Sequence, residues 1–113
     1  MTVFGIDIGN ESTKVSFLNE MHQIASKSDA NWQTAIEGFI LDGRIGHSHL
    51  NVPGPDGKFG FGGSCFPKDI QALIAYAKSI DVHPSVLIGA WEKNLEVRPE
   101  KDWELLKGRA VSE

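Results

Sequence analysis

Cys65, Lys68 and Asp69 are the residues of this 113-residue sequence whose types and spacing could do chemistry together. Pro67 suits the first turn of a helix, where its missing N–H would have no partner anyway. Ile70, Leu73, Ile74 and Ala77 follow at helical spacing, which predicts a helix running to about Ile80. Cys65 thus falls just ahead of a helix N-terminus, with Lys68 close by. The helix dipole and a neighbouring cation both favour thiolate over thiol, and the thiolate is the nucleophile. Asp69 could reach back to the same reaction centre as a base or a water-orienting group. The alternative is a buried, inert cysteine, with Asp69 a first-turn charge favourable to the dipole. Position does not separate the two.

The segment ahead of this cysteine is the most glycine-rich of the chain. Gly54, Gly57, Gly60, Gly62 and Gly63 are five of the twelve glycines. Pro53, Gly54, Pro55, Asp56 and Gly57 predict a turn. The rest of the run permits close backbone approach to a ligand, while Phe59 and Phe61 could equally anchor the loop in the core. The run is neither a dinucleotide fingerprint nor a Walker phosphate loop: Cys65 stands where the third glycine would, and no Gly-Lys-Ser/Thr follows.

Three further groups have chemical alternatives. Arg44, between Gly43 and Gly46, could recognise carboxylate or phosphate through its planar fork, or be a surface arginine in a turn. His47 and His49, with Cys65 downstream, supply no fourth ligand of the kind a closed zinc site needs, so no metal is expected. Gly5-Ile6-Asp7-Ile8-Gly9, followed by Thr13-Lys14, resembles the first phosphate loop of actin-like and sugar-kinase-like ATPases. Those folds need several hundred residues and two further nucleotide-binding segments, so an N-terminal arm is the preferred reading.

The elements that must position these residues read as helical. Val3, Phe4, Ile6 and Ile8 suggest a short strand, which Gly5 and Gly9 weaken. Asn10 or Ser12 could cap a helix over residues 14–27, with Val15, Leu18, Met21 and Ala25 on one face and His22 off it in solvent. Asp29 or Asn31 could cap a second helix whose apolar face is Trp32, Ala35, Ile36, Phe39 and Ile40, ended by Gly43. Pro84 opens another helix with Leu87, Ile88, Trp91 and Leu95 on one face, and Pro99 stops it. Residues 100–107 predict a short last helix carrying Trp103 and Leu106, before a loose polar tail. The fold class is therefore all-α, with a Gly-rich loop and a short N-terminal arm for which β conformation is the alternative. Residues 1–12 form that arm, of unclear origin, and 13–113 the helical domain.

Composition narrows the function classes. The net charge is −4, which gives no electrostatic reason to bind nucleic acid or an anionic membrane. No apolar run approaches a membrane span, and the N-terminus lacks the pattern of a signal peptide. A single cysteine cannot form an internal disulfide, which fits a cytoplasmic setting.

The stretch from Gly60 to Asp69, Gly-Phe-Gly-Gly-Ser-Cys-Phe-Pro-Lys-Asp, resembles the catalytic cysteine motif of the UDP-glucose/GDP-mannose dehydrogenase family. Residues 14–20 resemble the long helix of that family's central domain, and Asp42-Gly43-Arg44-Ile45-Gly46 its Asp-x-Arg-Ile-Gly turn. The insert at 52–58 occurs in some members, UDP-glucose 6-dehydrogenase-like ones among them. The resemblance covers about residues 13–111. It implies that a nucleotide-sugar alcohol is oxidised to an acid at the expense of two NAD molecules. It also implies that Cys65 attacks the aldehyde-level intermediate and that Asp69 assists hydrolysis of the thioester. Arg44, Leu50, Asn51, Phe61, Gly62 and Lys68 would contact a UDP-sugar, Arg44 by reaching the neighbouring subunit's site. The central helices would build a homodimer. The family's Rossmann domain and its catalytic lysine and asparagine find no match in this sequence. The expectation is a central domain that binds no NAD alone, cannot transfer hydride alone, and would depend on an NAD-binding Rossmann domain on another chain. A non-enzymatic dimerisation or sugar-nucleotide-binding module is the alternative.

Overall fold

The structure is a computed structural model that describes residues 3–41, 49–63 and 66–106, and of residues 3–8 and 106 only the backbone. Arg44, His47, Ser64, Cys65, the Asp42–Gly46 turn with its Gly43 cap, and the tail lie outside the described residues. Four α-helices and one 3₁₀ turn follow in order: α1 (Val3–Lys27), α2 (Trp32–Ile40), α3 (Phe66–Ser79), α4 (Ser85–Val97) and the 3₁₀ turn (Asp102–Leu106). There is no strand among the described residues, and the all-α class holds.

The β alternative for the N-terminal arm is overturned. The backbone is helical from Val3, so the strand that a phosphate loop would follow is not there, and neither Asn10 nor Ser12 is a cap. Once a helix is nucleated downstream, each added residue gains a hydrogen bond, so the glycines are carried along. Packing also offsets the cost of Gly9. A Cβ there would lie 2.9 Å from a Leu73 methyl and 3.4 Å from one of Leu87, so the bare backbone lets α1 settle against α3 and α4.

α1 is the spine on which α3 and α4 pack. Asn31 caps α2, its side chain accepting from the Thr34 N–H at 2.8 Å. Asp29 instead takes a left-handed φ of 57° at the end of α1, where the Ala30 N–H reaches back to the Ala25 carbonyl at 3.0 Å. The end of α3 repeats the device more fully: Asp81 (φ 63°) donates to Lys78 and Val82 donates to Ala77, the two bonds of a Schellman ending. Asp81 pays a left-handed penalty there that glycine does not. Asp81→Gly is therefore expected to stabilise the chain by about 0.5–1 kcal/mol, read as a raised urea midpoint with unchanged slope.

The innermost cluster is Phe61, Ile70 and Ala90, with Val15, Phe66, Ile74 and Trp91 against it. Trp103, from the 3₁₀ turn, is buried and packs on Trp91 at 5.3 Å between ring centres. Leu18 and Ala25 of α1 are buried as their spacing predicts. By contrast, no residue of α2 is fully buried, since this short helix leans chiefly on α1. His22 is not a solvated histidine. Phe59 folds back over it, so its ring lies 5.1 Å from Trp32 and 5.8 Å from Phe59.

Candidate functional site

The glycine run is held from below by side chains of α1, α4 and the 3₁₀ turn. Asn94 is wholly buried and binds Phe61 at both ends of its backbone. Its Oδ1 accepts from the Phe61 N–H at 2.7 Å, and its Nδ2 donates to the Phe61 carbonyl at 2.9 Å. Asn19 of α1 accepts from the Gly60 N–H at 3.1 Å and donates to its own helix at Val15. Asp102 accepts from the Gly63 N–H at 3.3 Å. Arg98, at the end of α4, donates from Nε to the Phe59 carbonyl at 2.9 Å and pairs with Asp56 and Asp102. These bonds satisfy backbone groups that no helix pairs, the buried ones of Phe61 above all.

The same side chains explain two of the glycines. A Cβ on Gly60 would lie 2.3 Å from Asn94 Oδ1, and one on Gly62 would lie 1.9 Å from Arg98 Nη1 and 2.5 Å from an Asp102 carboxylate oxygen. The close approach at these positions is to the protein's own polar groups. Gly63 has nothing among the described residues within 4 Å of such a Cβ, and its φ of 80° calls for glycine.

Above the run lies an open cleft of about 460 Å³. Gly54, Pro55 and Asp56 of the turn and Gly60 to Gly63 with Phe66 line it, together with Val15, His49, Asn51, Arg98 and Asp102. The turn is internally bonded: Gly57 N–H to Gly54, Gly54 N–H to Lys58, and Lys58 N–H to the Asp56 carboxylate. Gly63 and Phe66, the described residues on either side of positions 64 and 65, both line the cleft.

The predicted site residues divide as follows. Asn51 and Gly62 line the cleft; Phe61 does too, but its ring is buried in the core 6.0 Å from Phe66 and from Trp91. Asp69 is half-buried in the first turn of α3, with its carboxylate 3.5 Å from the Lys68 ammonium. Leu50 is half-buried and, like Lys68, is not among the residues lining the cleft. Cys65 and Arg44 lie outside the described residues. His49 faces Glu11 at 3.5 Å and stacks 5.7 Å from Phe66. Among the described residues no three His, Cys, Asp or Glu side chains gather as metal ligands would.

Sequence reasoning missed Asn19, Asn94, Arg98 and Asp102. A signal was available. Ala90, Asn94 and Arg98 recur every four residues beside the predicted Leu87–Trp91–Leu95 stripe, and they are the buried ones. A polar residue in an apolar stripe has to be satisfied, and here the partner is a loop more than 30 residues away in sequence.

Burial opposes the charge of Asp56, but bonds from the Lys58 N–H and Arg98 outweigh it and hold the carboxyl below its ordinary value of 3.8. A carboxylate lowered in the folded state stabilises above its unfolded pKa and loses that contribution as pH falls through the folded one. Stability should therefore drop below about pH 4, and Asp56→Asn should flatten part of that drop in urea titrations run from pH 6 to 3.

A helical domain that grips a Gly-rich loop and leads it into a helix at a cysteine is a recognisable class, and sequence comparison specifies it. Residues 10–96 match the model of the UDP-glucose/GDP-mannose dehydrogenase family, central domain. The chain belongs to that family. It is 41% identical over 88 residues to a UDP-glucose 6-dehydrogenase of Rickettsia typhi, covering 78% of this chain and 19% of the relative. It is 36% identical over 107 residues to UDP-glucose 6-dehydrogenase TuaD of Bacillus subtilis, covering 89% and 22%. A third relative, UDP-glucose 6-dehydrogenase AglM of Haloferax volcanii, is 34% identical over 98 residues, covering 87% and 21%. The chain thus spans about a fifth of the length of the curated relatives it matches.

Proposed function

We propose that this chain carries the thiol and sugar-nucleotide half of a UDP-glucose 6-dehydrogenase-type site. The observation that carries the reading is the cleft whose wall, the anchored run from Gly60 to Gly63, leads directly to Cys65 and into α3. In this reading a UDP-sugar lies along Asn51 and Gly62, Cys65 is the nucleophile toward an aldehyde-level carbon, and Asp69 orients the water that releases the acid. Arg44 reaches into the neighbouring subunit's site and binds the ligand there. The relatives' names supply the substrate class.

NAD is the hydride acceptor that the family resemblance implies. The βαβ unit that commonly grips a dinucleotide is not among the described residues, which contain no strand. The described residues do not fit NAD. The acceptor would be held by a part of the protein outside them or by another chain.

Alkylation of Cys65 followed by mass spectrometry tests the reading. Cys65 should react with iodoacetamide faster than a free thiol at neutral pH, and UDP-glucose should slow it by about tenfold or more. An inert thiol, or one indifferent to UDP-glucose, would remove the reading.

A second reading, a dimerisation module, is favoured by the α1–α2 groove. Phe17, Ile24, Trp32, Ala35, Ile36 and Phe39 line about 320 Å³ there, and Leu41 beside it is 85% exposed. An apolar surface of this kind suits a second copy of the chain. Sedimentation should give a dimer that Ile24→Glu dissociates, and a monomeric wild type would contradict it.

A further inference from the structure

Arg98 is only 1% exposed. Burying a guanidinium is costly unless partners are arranged around it, and an apolar side chain in such a place is often as stable. The partners here are not spread at random over the core. Asp56 belongs to the Pro-Gly turn, and Phe59, whose carbonyl accepts from Nε, opens the glycine run. Asp102 pairs with Nη1 at 3.5 Å and holds the Gly63 N–H at the far end of the same run. Glu100 adds a fourth contact at 4.0 Å. The turn and the run both line the cleft, and among the described residues Arg98 is the side chain bonded to both, through Asp56 and the Phe59 carbonyl.

We propose that Arg98 is a positioning residue for the ligand of this cleft, tying the turn to the glycine run and so fixing the cleft's width, with Asp56 as the removable half of the tie. The proposal rests on the UDP-sugar reading above. Arg98 needs no contact with the ligand; it acts through the backbone of residues 59–63 and through Asp56. Asp56 is half-exposed and makes no part of the Phe61–Ile70–Ala90 core, so its charge can be removed with the helices left packed. Asparagine at this position also keeps an acceptor for the Lys58 N–H.

The test compares the wild-type chain with Asp56→Asn, Asp56→Glu and Arg98→Lys by calorimetric titration with UDP-glucose, with urea unfolding run alongside. Asp56→Asn should weaken UDP-glucose by about tenfold while lowering the unfolding midpoint only modestly, since Asp102 and Glu100 still flank the guanidinium. Asp56→Glu should restore most of the affinity. Arg98→Lys should lose affinity and stability together, because an ammonium cannot serve the Phe59 carbonyl, Asp56 and Asp102 at once. A tie that only holds the fold together would instead lower affinity in step with stability in every variant. Wild-type affinity in Asp56→Asn, or no recovery in Asp56→Glu, would overturn the positioning role and leave the UDP-sugar reading standing. A wild-type chain that gives no heat with UDP-glucose would overturn both.

Discussion

Asn94→Ala is expected to lower the unfolding free energy by about 3–5 kcal/mol, enough to leave a chain of this size marginal. The magnitude follows from what is left behind. Asn94 pairs with both the N–H and the carbonyl of Phe61, and Phe61 is 5% exposed. Truncation removes both partners and leaves two backbone groups dry, each costing about 1–3 kcal/mol. A cavity beside Ala90 and Phe61 adds to the loss. Asn94→Leu should do no better despite its matching volume, because a leucine fills the space and satisfies neither group. Urea denaturation followed by far-UV circular dichroism measures this. A cost under about 1 kcal/mol would mean that water reaches Phe61 and that Asn94 is not the anchor described.

The second large effect separates two adjacent glycines. Gly62→Ala is expected to cost about 3 kcal/mol or more, and Gly63→Ala only about 1–2. At position 62 the new methyl meets Arg98 Nη1 and both Asp102 carboxylate oxygens. Those are the far ends of long side chains, but neither is free to move: Arg98 is bound to the Phe59 carbonyl and Asp56, and Asp102 to the Gly63 N–H. The tie must break for the methyl to fit. At position 63 no described residue crowds the new methyl, and the left-handed backbone is what opposes alanine. Gly62→Ala should also weaken UDP-glucose binding beyond its effect on stability. Equal costs at the two positions would contradict the packing described.

Much of this architecture was legible in the sequence. The helical spacing of Ile70, Leu73, Ile74 and Ala77, the starts near Pro67 and Pro84 and the stop before Pro99 all match α3 and α4. These signals are local and steric, so a single chain states them openly. The N-terminal stretch misled because Val3, Phe4, Ile6 and Ile8 alternate as a strand would, while the deciding contact of Gly9 with Leu73 and Leu87 lies about 60 to 80 residues away. The last helix contracted to the 3₁₀ turn Asp102–Leu106, where Trp103 is pinned against Trp91.

The site was half legible. The cysteine motif is plain in the sequence, and Asn51, Phe61 and Gly62, expected from the family resemblance, line the cleft. The groups that hold the glycine run did not, because an asparagine or arginine in a helix looks like a surface residue until a distant backbone is brought to it. The glycine run suggests room for a ligand, whereas Gly60 and Gly62 make room for Asn94, Arg98 and Asp102. The loop is thus anchored by side chains of its own domain, two of which, Arg98 and Asp102, line the cleft with it.

Titration of the ¹⁵N-labelled chain with UDP-glucose, followed by amide chemical shifts, tests the central claim most directly. The account predicts saturable shifts at Asn51, Gly62 and Gly63, with the amides of Ile80 and Val82 at the far turn between α3 and α4 unmoved. No shifts, or shifts confined to the α1–α2 groove, would contradict it.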